Sequence, residues 1–196
     1  RHKIIIDMDD NFFALPTDSP HYMVWGMGNP TYHQKLKRVL GYADGFTTPS
    51  EMLLKVYGRE DGRVMPNCWD NENPLWKLPK NRFLDKTVIG FTGTTTHRKD
   101  FALCVDALRQ VLKEREDTAV IIGVDTEIYA KFTDIPEDRK LFITGLPYND
   151  YPLMFQNMDV LLVPLEDTTF NRGKSSIKLI EAGAAGIPWI ASRIPV

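Results

Sequence analysis

From about Lys86 onward the sequence alternates short apolar runs with stretches of helical spacing, and this alternation constrains the fold more than any other feature. Val88–Phe91, Ala119–Ile122, Leu141–Ile143, Val160–Val163 and Trp189–Ala191 have the length and residue types of strands. Phe101, Val105, Leu108 and Leu112 recur at helical spacing and predict a helix over 101–112. Further helices are predicted over 127–132, 149–158 and 174–185, the last stopped by Gly186 and Pro188. Strands alternating with helices through short connections give an α/β fold, a Rossmann-like parallel sheet with helices on both faces. Such sheets bind ligands at the carboxyl ends of their strands. Function is therefore predicted in the loops after Phe91, Gly123, Ile143 and Val163.

The first third of the chain has the same texture in thinner form. Ile4–Ile6 is a short buried-strand run ending in Asp7-Met8-Asp9-Asp10, and residues 14–30, with Pro16, Pro20, Gly26, Gly28 and Pro30, are predicted to form a loop. Leu36, Val39 and Leu40 predict a helix over 31–43, Phe46–Thr48 a strand, and Ser50 the cap of a short helix ending near Gly58. Val64-Met65 is strand-like, and residues 67–85 mix Pro, Asn, Trp and charge without a period. The predicted organisation is a first domain over 1–60, a linker over 61–85 and a ligand-binding domain over 86–196. Arg1 in place of Met and a strand only begun at Trp189 suggest a piece of a larger protein, with 1–60 the remnant of a Rossmann-like first domain and 86–196 lacking its last elements.

Composition narrows the function by exclusion. A net charge of −2 leaves no basic footprint of the kind nucleic-acid binding requires, and no apolar run approaches the roughly 18–20 residues of a membrane helix. Cys68 and Cys104 match no zinc spacing and suit buried residues in a reducing, cytoplasmic compartment. Nothing in the sequence speaks to oligomeric state.

Two constellations carry candidate chemistry. Thr92-Gly93-Thr94-Thr95-Thr96-His97-Arg98-Lys99-Asp100 follows a strand. A glycine there lets the backbone approach an anion, the next helix start adds partial positive charge, and Arg98 and Lys99 bring full charges suited to a diphosphate. The alternative is a turn with solvated basic residues, in which His97 is an ordinary helix-start residue. The second constellation is Asn171-Arg172-Gly173-Lys174-Ser175-Ser176, predicted to open a helix and offer another anion site, with Lys178 and Glu181 three residues apart on one face beyond it. A carboxylate facing the ligand crevice accepts from both hydroxyls of a ribose. The alternative is an exposed ion pair worth a few tenths of a kcal/mol, which the close-packing Ala182–Gly186 run argues against.

The strand, glycine loop, Lys99, and later Glu-Ala-Gly-Ala-Ala-Gly-Ile-Pro (181–188) together resemble the retaining glycosyltransferases of the GT-B fold, above all the glycosyl group 1 set. Met65-Pro66-Asn67-Cys68-Trp69-Asp70 is similar to that family's interdomain segment, and Ala43–Ser50 to the last strand–helix of its acceptor-side domain. The resemblance implies a nucleoside-diphosphate-sugar donor, an unknown acceptor, and no requirement for Mg²⁺ or Mn²⁺ or any other cofactor. It implies a diphosphate at Gly93 and Lys99, with Thr94 beside them, and the ribose on Glu181; read from the residues themselves, Lys174, Ser175 and Ser176 add diphosphate contacts, Arg98 joins Lys99 as catalytic, and Asn171 and Gly173 mark the place of the donor sugar. Two departures stand out. Thr94 occupies the position of the family's phosphate-binding Arg, and Gly173 that of the first Glu of its Glu-x7-Glu motif.

These departures keep a non-catalytic nucleotide-binding module open as a second reading. A third is a Mg²⁺-dependent phosphatase of the haloacid-dehalogenase type using Asp7 and Asp9, although Asn11 stands where that pattern has Thr or Val. The plainer reading of Asp7–Asp10 is a cap on a strand-to-helix turn. Trp69 and Trp76 are predicted to be anchors joining the two halves.

Overall fold

The computed structural model describes residues 2–79 and 85–194. The chain divides into two compact units, one comprising Arg1–Cys68 with Asp167–Ser176 and Ile194–Val196, the other Trp69–Glu166 with Ile177–Arg193. The chain thus leaves the second unit after Glu166, contributes ten residues to the first, and returns at Ile177. The boundary falls at Cys68, inside the predicted linker 61–85, whose residues 80–84 lie outside the described residues.

The first unit holds a three-stranded parallel sheet of β1 (Ile5–Asp7), β2 (Gly45–Thr48) and β3 (Arg63–Val64), in that order. Its core gathers Leu36 and Leu40 of α2 (Pro30–Tyr42) with Phe46, and with Leu53 and Leu54 of α3 (Glu51–Val56) and Tyr57. Asn29 caps α2 by accepting from the Tyr32 amide, with Pro30 at the first helical position, and Ser50 caps α3 by accepting from Leu53. Residues 14–30 are more ordered than predicted. They include a turn of helix, α1 (Tyr22–Trp25), and the Asn29 side-chain amide donates to the Val24 carbonyl at 3.1 Å.

The second unit is a five-stranded, wholly parallel sheet. Its strands are β4 (Thr87–Thr92), β5 (Thr118–Gly123), β6 (Lys140–Ile143), β7 (Val160–Val163) and β8 (Trp189–Ala191), in the order β6-β5-β4-β7-β8. The alternation in the sequence therefore gives the predicted Rossmann-like sheet. Every residue of β5 is buried, which is why that strand is a continuous apolar run and not an alternating one. One core contains Phe91, Phe101, Leu112, Ile122 and Phe132, the other Trp76, Met154, Phe155, Met158 and Leu161. Burial of such side chains stabilises the fold by ~1.5–3 kcal/mol each. Gly90 is required by this packing, since a Cβ there would lie 2.1 Å from the Met158 sulfur. The rings of Trp69 and Trp76 meet edge to face, and Trp76 also meets Tyr151 and Phe155, so these tryptophans pack within the second unit.

Three predicted helices differ from what forms. Residues 101–112 are two helices, α4 (Arg98–Ala102) and α5 (Val105–Glu114), because the Leu103 and Cys104 amides bond three residues back, to Asp100 and Phe101, and break the helical ladder. Residues 149–158 form no α-helix but a 3-10 helix over Tyr148–Phe155, since Pro152 inside it has no N–H to give. The last helix, α7 (Ile177–Ala184), begins after Lys174–Ser176, which are extended or bent and do not open it. Gly186, at φ 67°, follows its end. The two cysteines also differ from expectation: Cys104 is half-buried, but Cys68 is exposed.

Candidate active site

Within the second unit, the carboxyl end of β4 collects most of the candidate groups. Gly93 is buried, and a Cβ there would sit 2.8 Å from Phe91 Cζ and 3.0 Å from His97 Cβ, so only glycine fits the turn. Its amide donates to the Gly123 carbonyl at 3.4 Å. Gly93 therefore contributes space and not a donor. Beyond it, Thr95–His97 forms a 3-10 turn that leads into α4.

Arg98 and Lys99 part company at the start of α4. The Arg98 guanidinium donates to Asp125 at 2.7 Å and pairs with Glu127 at 2.6 Å, tying this loop to α6 (Thr126–Tyr129) beyond β5. Burial works to raise the Asp125 pKa, but Arg98 and the amides of Ile128 and Glu127 outweigh it and leave the carboxylate below its ordinary range. Arg98 is thus held by two carboxylates, whereas Lys99 is exposed. A second tie links the loops after β4 and β7: buried Asp100 meets His97 Nδ1 at 2.8 Å and accepts from the Glu166 amide at 2.8 Å.

Across the same strand end, α7 presents Lys178 and Glu181. Lys178 Nζ donates to the Thr92 carbonyl, the last of β4, at 2.5 Å and lies 5.8 Å from the Phe91 ring centroid. Glu181 accepts from the Tyr151 hydroxyl at 3.1 Å. Burial raises the Glu181 pKa, against the opposing pull of Tyr151 and Lys178. Burial and the Glu181 charge also raise that of Tyr151, which keeps its proton as the donor. This pair of α7 residues points into the protein at the carboxyl edge of the sheet, not into solvent. Val124, just beyond β5, has φ 78°, a strained conformation for a β-branched residue, and it too lies at this edge. A separate apolar cavity of about 400 Å³ lies over one sheet face, lined by Thr87, Thr118, Val160 and Ile190 among others, and shares none of these groups.

The remaining candidates lie in the first unit. Asn171 and Gly173 are buried in a 3-10 turn, where a Cβ on Gly173 would come within 3.2 Å of both Asn11 Cβ and Leu53 Cδ2. Lys174 sits 3.6 Å from the Asp10 carboxylate and 4.7 Å from the Phe170 ring centroid. The Ser175 hydroxyl accepts from the Asn67 amide at 2.8 Å, and Ser176 is exposed. The Asp7–Asp10 cluster is engaged within this unit: Thr47 donates to Asp7, Tyr57 to the Asp10 carbonyl, and burial raises the pKa of Asp9. Among the described residues no three His, Cys, Asp or Glu side chains are grouped to hold a metal ion.

Residues 86–196 match the sequence profile of the family described as Glycosyl transferases group 1, more than half of the chain. The chain belongs to this family. No curated protein matches the sequence. Among solved structures, TarM superposes with a TM-score of 0.63 at 12% identity, over 99% of this chain and 37% of that one. A point mutant of Staphylococcus aureus TarM, solved with fondaparinux, alpha-GlcNAc-glycerol and UDP, gives 0.65 at 12% identity over the same shares. At that identity the likeness speaks for the fold, which is that of the GT-B glycosyltransferases. The chain spans about 37% of the length of these relatives.

Within this member of the group 1 family, sequence reasoning singles out Glu181 but passes over Tyr151, its donor, which lies in a stretch read as an ordinary helix. Lys178 was legible through its spacing to Glu181, whereas Asp100 was not singled out, its three-residue spacing from His97 being the signal that could have found it. Asp125 gave no signal beyond a polar residue after a strand.

Proposed function

We propose that the second unit is the donor half of a glycosyltransferase and binds a nucleoside-diphosphate sugar at the carboxyl edge of its sheet. The observation that carries this reading is the half-buried carboxylate of Glu181 on α7, held by Tyr151, beside Lys178 at the end of β4. Tyr151 uses one carboxylate oxygen, and the acceptor capacity that remains suits ribose hydroxyls. Keeping a carboxylate partly out of water weakens the fold, and a ligand that donates to it offsets the cost. Lys178 and Lys99 supply positive charge for the diphosphate, and Gly93 lets it approach the backbone. Charge growing on the departing diphosphate is what these lysines stabilise during transfer.

The sugar passes to an acceptor, with retention of anomeric configuration as the family resemblance implies, and without a divalent cation. A reducing, cytoplasmic setting suits the unbridged Cys68 and Cys104. Calorimetry with UDP and GDP, in the presence of EDTA, tests the reading. Binding of one diphosphate, weakened at least about tenfold by Glu181→Ala, is expected from loss of a charged hydrogen-bond partner. Equal affinity before and after the substitution overturns it.

A second reading, a nucleotide-binding module without turnover, is favoured by Gly173. The family's Glu is absent there, and the crowding by Asn11 and Leu53 leaves little room for one. Donor hydrolysis or transfer, assayed on the protein that binds nucleotide, decides between the two.

A further inference from the structure

The strand order β6-β5-β4-β7-β8 singles out one gap in the sheet of the second unit. From β4 the chain passes to β5 and β6 on one side, whereas β7 lies on the other side and leads outward to β8. The connections after β4 and β7 therefore diverge, and the crevice between them is where a parallel sheet of this kind admits a ligand. A single carboxylate spans it. Asp100, 2% exposed, accepts from the Glu166 amide in the loop after β7 at 2.8 Å, and its other oxygen meets His97 Nδ1 at 2.8 Å.

This contact orients the imidazole. An ionised carboxylate only accepts, so Nδ1 carries the proton of the bond and Nε2 is the ring's second polar atom. The His97 side chain is 14% exposed and backs onto the end of β4, where a Cβ on Gly93 would lie 3.0 Å from His97 Cβ. The rest of the loop differs. Arg98 is held by Asp125 and Glu127, and the Thr94 and Thr96 hydroxyls meet each other at 2.9 Å. Lys99 is exposed, whereas His97 is fixed at the strand end by its carboxylate. A diphosphate in this crevice would bring its charge toward buried Asp100, a repulsion that a doubly protonated imidazole offsets.

From this geometry we infer that His97 is a binding residue for the diphosphate of the donor. Its ring, protonated at both nitrogens, gives Nε2–H to a phosphate oxygen while Nδ1–H stays on Asp100, a charge-assisted bond at each end. The inference rests on the donor-site reading and adds to that site a cation which the fold holds in place. It concerns the phosphates alone, so the base and the ribose of the nucleotide are recognised elsewhere.

Calorimetry with UDP and GDP, each beside its nucleoside, tests it on two variants. The amide of an asparagine reaches the place of Nδ1, and that of a glutamine the place of Nε2. His97→Asn is therefore expected to keep the tie to Asp100 and the melting temperature. Its affinity for the diphosphate is expected to fall at least about tenfold, with the nucleoside unaffected. His97→Gln, which restores a donor near Nε2, is expected to recover part of that loss. A residue that only braces the loop would give the opposite order. On the unsubstituted protein, the nitrogen-15 resonance of His97 Nε2 is expected to move with the diphosphate and not with the nucleoside, a readout that holds even where a variant folds poorly. If the protein binds a diphosphate, then equal affinity of His97→Asn, equal losses for nucleoside and diphosphate, or an unmoved Nε2 resonance overturns this inference and leaves the donor-site reading standing. Binding of neither diphosphate by the unsubstituted protein overturns both.

Discussion

The phenol of Tyr151 donates to the carboxylate of Glu181 at 3.1 Å, joining the 3-10 helix Tyr148–Phe155 to α7. The bond leaves a partly buried acid whose pKa burial raises above its ordinary 4.5. Between those two pKa values the folded state keeps a proton that the unfolded state has lost, so this group's contribution to stability falls as pH rises through the window. Glu181→Gln removes the ionisation and keeps an acceptor for Tyr151. Urea denaturation is expected to show the variant more stable by about 1 kcal/mol at neutral pH, and no more stable near pH ~4. Identical curves at neutral pH count against a burial cost at this carboxylate.

Tyr151→Phe takes the hydroxyl and leaves the ring among Trp76 and Phe155. Glu181 then loses its hydrogen-bond donor in a half-buried place. The expected loss is about 1–3 kcal/mol at neutral pH, shrinking as the carboxyl protonates in acid. A titration of stability against pH checks both the size and the direction.

Lys178→Met tests the charge at the end of β4. The substitution keeps most of the stem beside Phe91 and removes the ammonium that meets Thr92. Affinity for UDP or GDP is expected to fall about tenfold or more, with the parent nucleoside little affected. A parallel loss for nucleoside and diphosphate would place Lys178 away from the phosphates.

Gly173→Glu restores the residue that the family carries at this position. Its Cβ would come within 3.2 Å of Asn11 and Leu53, a contact in which both neighbours must shift. Overpacking of this kind costs about 1–3 kcal/mol. A lowered melting temperature by calorimetry is the expected result, and unchanged stability would show that the turn yields freely.

The second unit was largely legible because short apolar runs such as Val160–Val163, bounded by Asp and Pro, have few ways to bury themselves except in a parallel sheet. Glu181 was legible because its neighbours are small and its helix has a clear stop. The break at Leu103–Cys104 was not, since no glycine or proline marks it. Nor was the commitment of Arg98 to Asp125 and Glu127. Those partners lie far along the chain, and only the pairing of β4 with β5 brings their loops together.

The sequence by itself determined the alternation of elements, the parallel sheet, the helix start marked by Ser50, and the place of Glu181 on its helix. These rest on local periodicity and short-range hydrogen bonding, which neighbouring residues encode directly. Only the tertiary structure decided which polar groups are engaged by the fold itself. Gly93 gives its amide to Gly123, Arg98 pairs with two carboxylates, and Lys174 and Ser175 find Asp10 and Asn67. Each of those partners is distant in sequence, and burial forces a polar group to take whichever partner the fold brings within reach.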